Sequence, residues 1–387
     1  MVKRIKVGLI YTNNENWIGG TYYIQNLVYA LNSLKDEEKP ELVIYTYTEN
    51  DFLTLKETNY PYILRNQLVY SPGKLSFFKK VINKINFYIF DKYLYAQPIL
   101  MSNLDVDIVF PADIGLIVSK SIKKLYWIPD FQEQKLPNFF TKEQIFARNQ
   151  SHHLISKSPD PVIFSSEDAF NDFKKIEPKY SCKPYVLNFA VTHPNYKNLD
   201  ISKLFEKYNI DKPYFFAPNQ FWKHKNQMVV LNAINFLKAN GVNDFIVAFS
   251  GKEFDGENAG YFISLKKYVE DNNISDQVRF LGFIDRKEQL KLMENAIAII
   301  QPSLFEGWST VVEDAKAMNQ YVIASNLNVH IEQLKNNVRF FNPNDALELS
   351  DILKSNLIKK NIVVKYDYED NIFKFSEDFM KILKQIL

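Results

Sequence analysis

The stretch that most constrains the fold is Ala296-Ile297-Ala298-Ile299-Ile300 followed by Gln301 to Met318, QPSLFEGWSTVVEDAKAM. Five consecutive aliphatic residues have the length and composition of a strand covered on both faces, and Pro302, Ser303 and Gly307 end that pattern at once. Thr310-Val311-Val312-Glu313 fits a capping box, in which a Thr hydroxyl and a Glu three residues on satisfy each other's helix-start N–H groups, so a helix is expected from Thr310. Strand, loop and helix in this order form the unit of a parallel α/β sheet. Such sheets bind ligands outside the carboxyl ends of their strands, where helix N-termini favour anions. Two carboxylates, Glu306 and Glu313, fall there, and Glu313 keeps the plainer reading of a capping residue.

The unit recurs along the chain. Ile5 to Tyr11 reads as a first strand, followed by a polar loop to Gly19-Gly20 and a helical run with Leu27, Ala30 and Leu31 on one face. Paired glycines at such a junction either let a phosphate approach backbone N–H groups or form a tight turn. Further strands are expected at Leu42–Tyr47, Ile108–Phe110, Lys124–Ile128 and Val162–Phe164, the last running into a Ser165-Ser166-Glu167 helix start. From Val191 to Lys212 the pattern loosens, which places a domain linker there. Strands resume at Tyr214–Ala217, Phe245–Ser250 before Gly251, Val278–Ile284 and Tyr321–Ala324, and Asn371 to Leu387 has the spacing of an amphipathic helix. A chain of 387 residues exceeds what one core fills, so two domains are expected, 1–192 and 193–368.

The acidic stretch resembles the donor-site signature of the family 4 retaining glycosyltransferases, in which two glutamates bracket a Gly-rich loop at a helix start. That family leaves seven residues between the glutamates; here six separate Glu306 from Glu313, so either the loop is shorter or Asp314 takes the second role. The resemblance implies an α/β fold of the GT-B kind, two facing Rossmann-like domains with a donor/acceptor cleft between them, and a tail, 369–387, crossing back to the first domain. It also implies that Glu306 approaches the donor-sugar hydroxyls and Glu313 the ribose, with Gly307, Trp308, Ser309 and Thr310 forming the loop between them. Gly19 and Gly20 would lie against the donor diphosphate, Gly251 would leave room for the nucleotide, and the backbone near Phe283 and Ile284 would read the base.

Pro218 to Asn226, PNQFWKHKN, follows a strand and precedes a helix whose buried face is marked by Val229, Val230, Ala233 and Leu237. A leaving nucleotide diphosphate gains negative charge as the glycosidic bond breaks, and an ammonium placed there stabilises the transition state more than the ground state. Lys225 matches the family's lysine, Asn219 stands where its arginine is expected, and Lys223 can compensate; the alternative is a solvated basic loop. After the strand ending at Ile128, Pro129 replaces the family's histidine and Asp130 remains as the acceptor-side carboxylate, unless it is an ordinary turn aspartate.

Net charge is +2 on 47 basic and 45 acidic side chains, which provides no field for nucleic acid. Cys182 stands alone, the five histidines have no metal-ligand spacing, and no window approaches the roughly 18 apolar residues of a membrane span. No metal and no cofactor is expected. Met1 to Tyr11 is too interrupted for a signal segment, so a cytoplasmic protein is expected. Lys74 to Phe90 interleaves basic and aromatic residues over a helix, which reads either as peripheral docking on the inner membrane or as a core helix with a solvated lysine face. The expected reaction is metal-independent transfer from a nucleotide diphosphate sugar to a glycan or polyprenol-linked acceptor. A sugar-nucleotide epimerase, a phosphorylase and a non-enzymatic sugar-binding protein are the alternatives.

Overall fold

The computed structural model describes residues 4–13, 18–102, 104–253, 259–359 and 361–387. The expected positive start at Met1 to Lys3 and part of the loop before Gly19 lie outside them. The chain divides into two compact units, one of residues 1–192 with 369–387, the other of 193–368.

In the first unit the strands are β1 (Lys6–Ile10), β2 (Glu41–Thr46), β3 (Ile63–Gln67), β4 (Tyr70–Pro72), β5 (Ile99–Met101), β6 (Ile108–Phe110), β7 (Leu116–Ile117), β8 (Lys123–Lys124), β9 (Tyr126–Ile128), β10 (Pro161–Phe164) and β11 (Lys183–Val186). Five form a parallel sheet in the order β3-β2-β1-β6-β8, and β11-β10-β9 form a second parallel sheet. The run Lys124–Ile128, expected as one strand, breaks at Leu125. Its N–H still donates to Val109 and its carbonyl accepts from Ala112, after which the chain enters the other sheet. The helix Glu369–Ile386 packs on Ile18–Asn32, with the Phe375 ring edge-on to Tyr23 at 5.9 Å and Phe379 5.5 Å from Phe110. Apolar residues at Ile372, Phe375, Phe379, Ile382 and Leu383 supply that buried face.

The second unit is one six-stranded parallel sheet of β12 (Tyr214–Ala217), β13 (Ile246–Phe249), β14 (Val278–Phe280), β15 (Ile299–Gln301), β16 (Val322–Ser325) and β17 (Val338–Phe341), ordered β14-β13-β12-β15-β16-β17. Alternation along each strand explains why the runs are apolar throughout. Phe215, Val247, Phe249, Ile300 and Ile323 fill the core on one face. Phe216, Ile246, Ala248, Ile299 and Val322 fill it on the other. Sequence order reverses between β12 and β15, which makes their carboxyl ends the topological switch point where doubly wound sheets bind ligands. The loosened segment 191–212 holds the helix Ile201–Tyr208, started by Asp200, whose carboxylate accepts from Ser202 N–H.

Candidate active site at the switch point

Register sets the site. Phe216 pairs with Ile299 across β12 and β15, so Asn219, just past β12, and Gln301, the last residue of β15, meet at the carboxyl edge. There the Asn219 amide donates to Gln301 Oε1 at 2.9 Å. Beyond β12 the chain makes a short turn, Lys223–Lys225, and Asn226 then adopts a left-handed conformation, φ 56°, that starts the helix Gln227–Ala239. The Asn226 amide donates to the carbonyls of Pro302 and Pro343, and Leu304 N–H donates to the His224 carbonyl, so the lysine loop and the acidic loop are tied together.

The outcome is a contact between the two side chains expected to do the chemistry. Lys225 Nζ lies 2.7 Å from Glu306 Oε1, with only 16% and 9% of the two side chains exposed. Gln301 Nε2 at 2.7 Å and Ser303 Oγ at 2.6 Å donate to the same oxygen. Burial works to raise the Glu306 carboxyl, but Lys225, then His330 and the Ser303 hydroxyl, more than offset it and hold the group below the usual carboxylate range. Beside the pair, burial and the Lys225 charge push the His224 imidazole down to about 3. His330 is fully buried; burial lowers its affinity for a proton despite Glu306, and its Nδ1 meets the Ser325 carbonyl at 2.9 Å. Lys223 is exposed on the same turn.

Glu313 is placed differently. The expected capping box does not form: the helix Thr310–Ala317 is capped by Ser309, whose Oγ accepts from Val312 N–H. Being one residue further into the helix than a capping box requires, Glu313 points into the unit. Its Oε1 accepts from Lys316 and from Gln333, each near 2.8 Å or less, and its Oε2 from the Tyr368 hydroxyl at 2.5 Å. Gln333 also exchanges two bonds with the Ser309 backbone, which pins the Gly307–Thr310 loop, and the Lys316 ammonium lies 5.8 Å from the centre of the Trp308 ring. Asp314 is held by Arg286 and His193; the Arg286 charge, with the hydrogen bond to His193, outweighs burial and keeps its carboxyl low.

At Gly251, where room for a nucleotide was expected, the space of a side chain is filled by the protein itself, since a Cβ would collide with the backbone of Asn219 and Gln220. The glycine serves the close junction of strand ends, and its N–H donates to the Gly282 carbonyl. Phe283, on the adjoining turn, is 68% exposed, whereas Ile284 packs against the core. Gly19 and Gly20 are the second and third residues of the helix Ile18–Asn32 rather than a turn ahead of it, and a Cβ at Gly19 would meet nothing within 4 Å. Asp130, in the first unit, accepts from Gln132 N–H at 3.1 Å and sits 3.5 Å from Arg148, which also reaches the buried Glu133 at 3.0 Å. Burial raises the Asp130 carboxyl.

Sequence reasoning assigned no role to Gln301, Ser303, His330 or Gln333. A glutamine closing an otherwise aliphatic buried strand was a local signal for Gln301. His330 and Gln333 come from a separate short helix, Asn328–Gln333, and carried none.

The second unit is thus a doubly wound sheet with a buried lysine–carboxylate pair at its switch point. Residues 200–369 match the family model described as Glycosyl transferases group 1, so the second unit carries a domain of that family over nearly its whole length. Among individual proteins, the chain is 28% identical over 164 residues to the O-antigen chain mannosyltransferase RfbU of Salmonella typhimurium. That match takes in 41% of this chain and 44% of RfbU, less than half the length of the curated relative. Among solved structures, Anabaena HepE in complex with UDP superposes with a TM-score of 0.63 at 14% identity, covering 98% of this chain and all of HepE. A Rickettsia africae glycosyltransferase gives 0.62 at 16% identity over 99% and 94% of the two chains. WaaG, a glycosyltransferase involved in lipopolysaccharide biosynthesis, gives 0.55 at 11% identity over 98% and 95%. These likenesses establish the fold, that of the GT-B glycosyltransferases.

Proposed function

We propose that the protein is a retaining glycosyltransferase that moves a hexose-type sugar from a UDP- or GDP-linked donor to a hydroxyl of a glycan or lipid-linked glycan, in bacterial surface polysaccharide assembly. The observation that carries this reading is the Lys225–Glu306 pair at the switch point of a glycosyl transferases group 1 domain. Lys225 meets the charge growing on the leaving diphosphate, and Lys223 adds to it, so the cationic role falls to side chains and the reaction runs without a metal. Glu306 accepts a donor-sugar hydroxyl. Glu313, with a lone pair of Oε2 beyond its Tyr368 bond, takes the ribose, and Asp130 faces the acceptor. RfbU, an O-antigen chain mannosyltransferase, favours a hexose donor and a surface-polysaccharide product.

The helix Phe77–Phe90 supports a peripheral membrane role at the cytoplasmic face. Its Phe77, Phe78, Ile85, Tyr88, Ile89 and Phe90 side chains are exposed, Tyr88 to 86%, and Lys79, Lys80 and Lys84 interleave with them. No helix among the described residues is long and apolar enough to cross a membrane. An aromatic and cationic face without acidic residues suits an anionic lipid surface, where lipid-linked acceptors reside.

The test is nucleoside diphosphate release over a panel of UDP- and GDP-sugars, with and without lipid-linked acceptors, in EDTA. The expected result is a new glycosidic bond of retained configuration together with free nucleoside diphosphate. An isomerised donor or a sugar phosphate would replace this reading with an epimerase or a phosphorylase. Tight binding of free sugar with indifference to nucleotides would make the protein a sugar-binding protein.

A further inference from the structure

Glu306 is held by one oxygen. Lys225, Gln301 and Ser303 all donate to Oε1, and among the described residues none donates to Oε2. Where the other oxygen is presented, and in which plane, therefore depends on the donors behind Oε1. Two of them, an ammonium and a hydroxyl, turn freely and can follow the carboxylate. The Gln301 amide cannot, because it is fully buried and two-sided. Its nitrogen serves Glu306 at 2.7 Å and Ser303 Oγ at 3.2 Å, while its oxygen accepts from Asn219. Turned over, it would set a carbonyl oxygen against the Glu306 carboxylate and an NH2 against the NH2 of Asn219. Asn219 is itself buried, and its backbone carbonyl takes the Gln227 amide at 3.4 Å.

We propose that Asn219 and Gln301 are positioning residues: Asn219 fixes the orientation of the Gln301 amide, and that amide fixes the Glu306 carboxylate so that Oε2 is presented to the donor sugar. This rests on the transferase reading above and gives Asn219 a role other than contact with the diphosphate. A buried amide that holds one oxygen of a functional carboxylate, and so sets its plane, belongs to a polar network in which every member must be satisfied, so one wrong acceptor propagates along it.

Two nearly isosteric substitutions test the proposal. Asn219→Asp replaces the donor by an acceptor, draws the Gln301 NH2 toward position 219 and turns its carbonyl on Glu306; kcat is expected to fall about 30-fold or more while KM for the donor changes less than about threefold. Asn219→Ser, which keeps a donor, should retain more activity than Asn219→Asp. Gln301→Glu places a carboxylate against Glu306, which only a shared proton can reconcile, so this variant should be inactive at pH 8 and recover activity as the pH falls toward 5.5, unlike the wild type. A purely structural role would leave both pH profiles the same shape. A readout independent of activity is the Gln301 side-chain amide in 15N-glutamine-labelled protein: slow to exchange in the wild type, displaced in Asn219→Asp, and followed alongside thermal melting to establish folding. If the folded wild type transfers no sugar, the transferase reading fails while the amide signal still decides the positioning role. Wild-type kcat in folded Asn219→Asp, or an unmoved amide resonance, overturns the proposal.

Discussion

The Glu306 loop of the second unit and the Phe77–Phe90 helix of the first depart from ordinary burial in opposite directions. In the loop, a carboxylate and an ammonium are drawn into a nearly closed setting and surrounded by amides and hydroxyls. In the helix, aromatic and aliphatic side chains stand in water, and the buried member is a polar one. That residue, Asn83, anchors the helix by accepting from Leu94 and Tyr95 N–H and donating to the Tyr95 carbonyl. Even a buried ion pair adds little stability over apolar residues of the same size, and an exposed apolar face gains nothing from folding, so the fold alone accounts for neither. The difference lies in what each awaits. The loop has already arranged its own donors and needs a ligand of matching geometry. The helix face is unspecific and, on the membrane reading proposed above, would need only an apolar medium with negative charge at its border.

The sharpest way to break this contrast is to remove one half of the buried pair. Lys225→Ala should lower sugar transfer by about a hundredfold or more, the scale of losing one transition-state electrostatic contact, and Glu306→Gln should do likewise; steady-state kinetics with the preferred donor check this, and full activity in either variant removes the assignment. On the helix, Phe78→Asp combined with Tyr88→Asp should weaken co-sedimentation with anionic vesicles roughly 30-fold, from about 2 kcal/mol of lost apolar insertion, while the melting temperature stays within a degree or two. Equal binding of the wild type to neutral and anionic vesicles would show that the lysines contribute nothing.

Acid should destabilise both units. Burial pushes His152 down to about 4, so it stays neutral in the folded protein, whereas an unfolded histidine gains its proton near 6.5. A depressed folded value means stability present above about pH 6.5 and lost as the pH falls toward 4, roughly 1–2 kcal/mol between pH 7 and 5 in urea denaturation. His224, pushed down to about 3 beside Lys225, acts in the same direction in the second unit. The smallest expected effect is Ser309→Ala, which removes the helix cap at the acidic loop and should cost about 1 kcal/mol of unfolding free energy.

The central strands of both units were legible because each is a short aliphatic run covered on two faces, whereas the more exposed β3, Ile63–Gln67, carries polar residues and gave no such signal; Lys225 and Glu306 were legible because each follows a buried run by a few residues. What local pattern could not carry was side-chain commitment. Ser309 and Thr310 are both competent caps, and the choice between them turned Glu313 from a helix-end group into a buried one. Its partners Gln333 and Tyr368 lie 20 and 55 residues further on, out of reach of any spacing rule. Asn219 offered a family position but no hint that its amide faces Gln301 across a strand junction, since that contact exists only once β12 and β15 are in register. Leu125 likewise looks like the middle of a strand, and only the competing pairings with Val109 and Ala112 reveal the break.

The helix Glu369–Ile386 has a consequence for the order in which the protein is made. It belongs to the core of the first unit, yet the ribosome reaches it only after the whole of the second. The first unit therefore spends the synthesis of 176 residues, His193 to Tyr368, without the partner of its helix Ile18–Asn32, while the second unit is encoded as one unbroken stretch and can fold as soon as it emerges. The apolar faces of Leu27 and its neighbours, hidden in the finished molecule, are the surfaces that a nascent chain must keep from sticking until the last turn arrives.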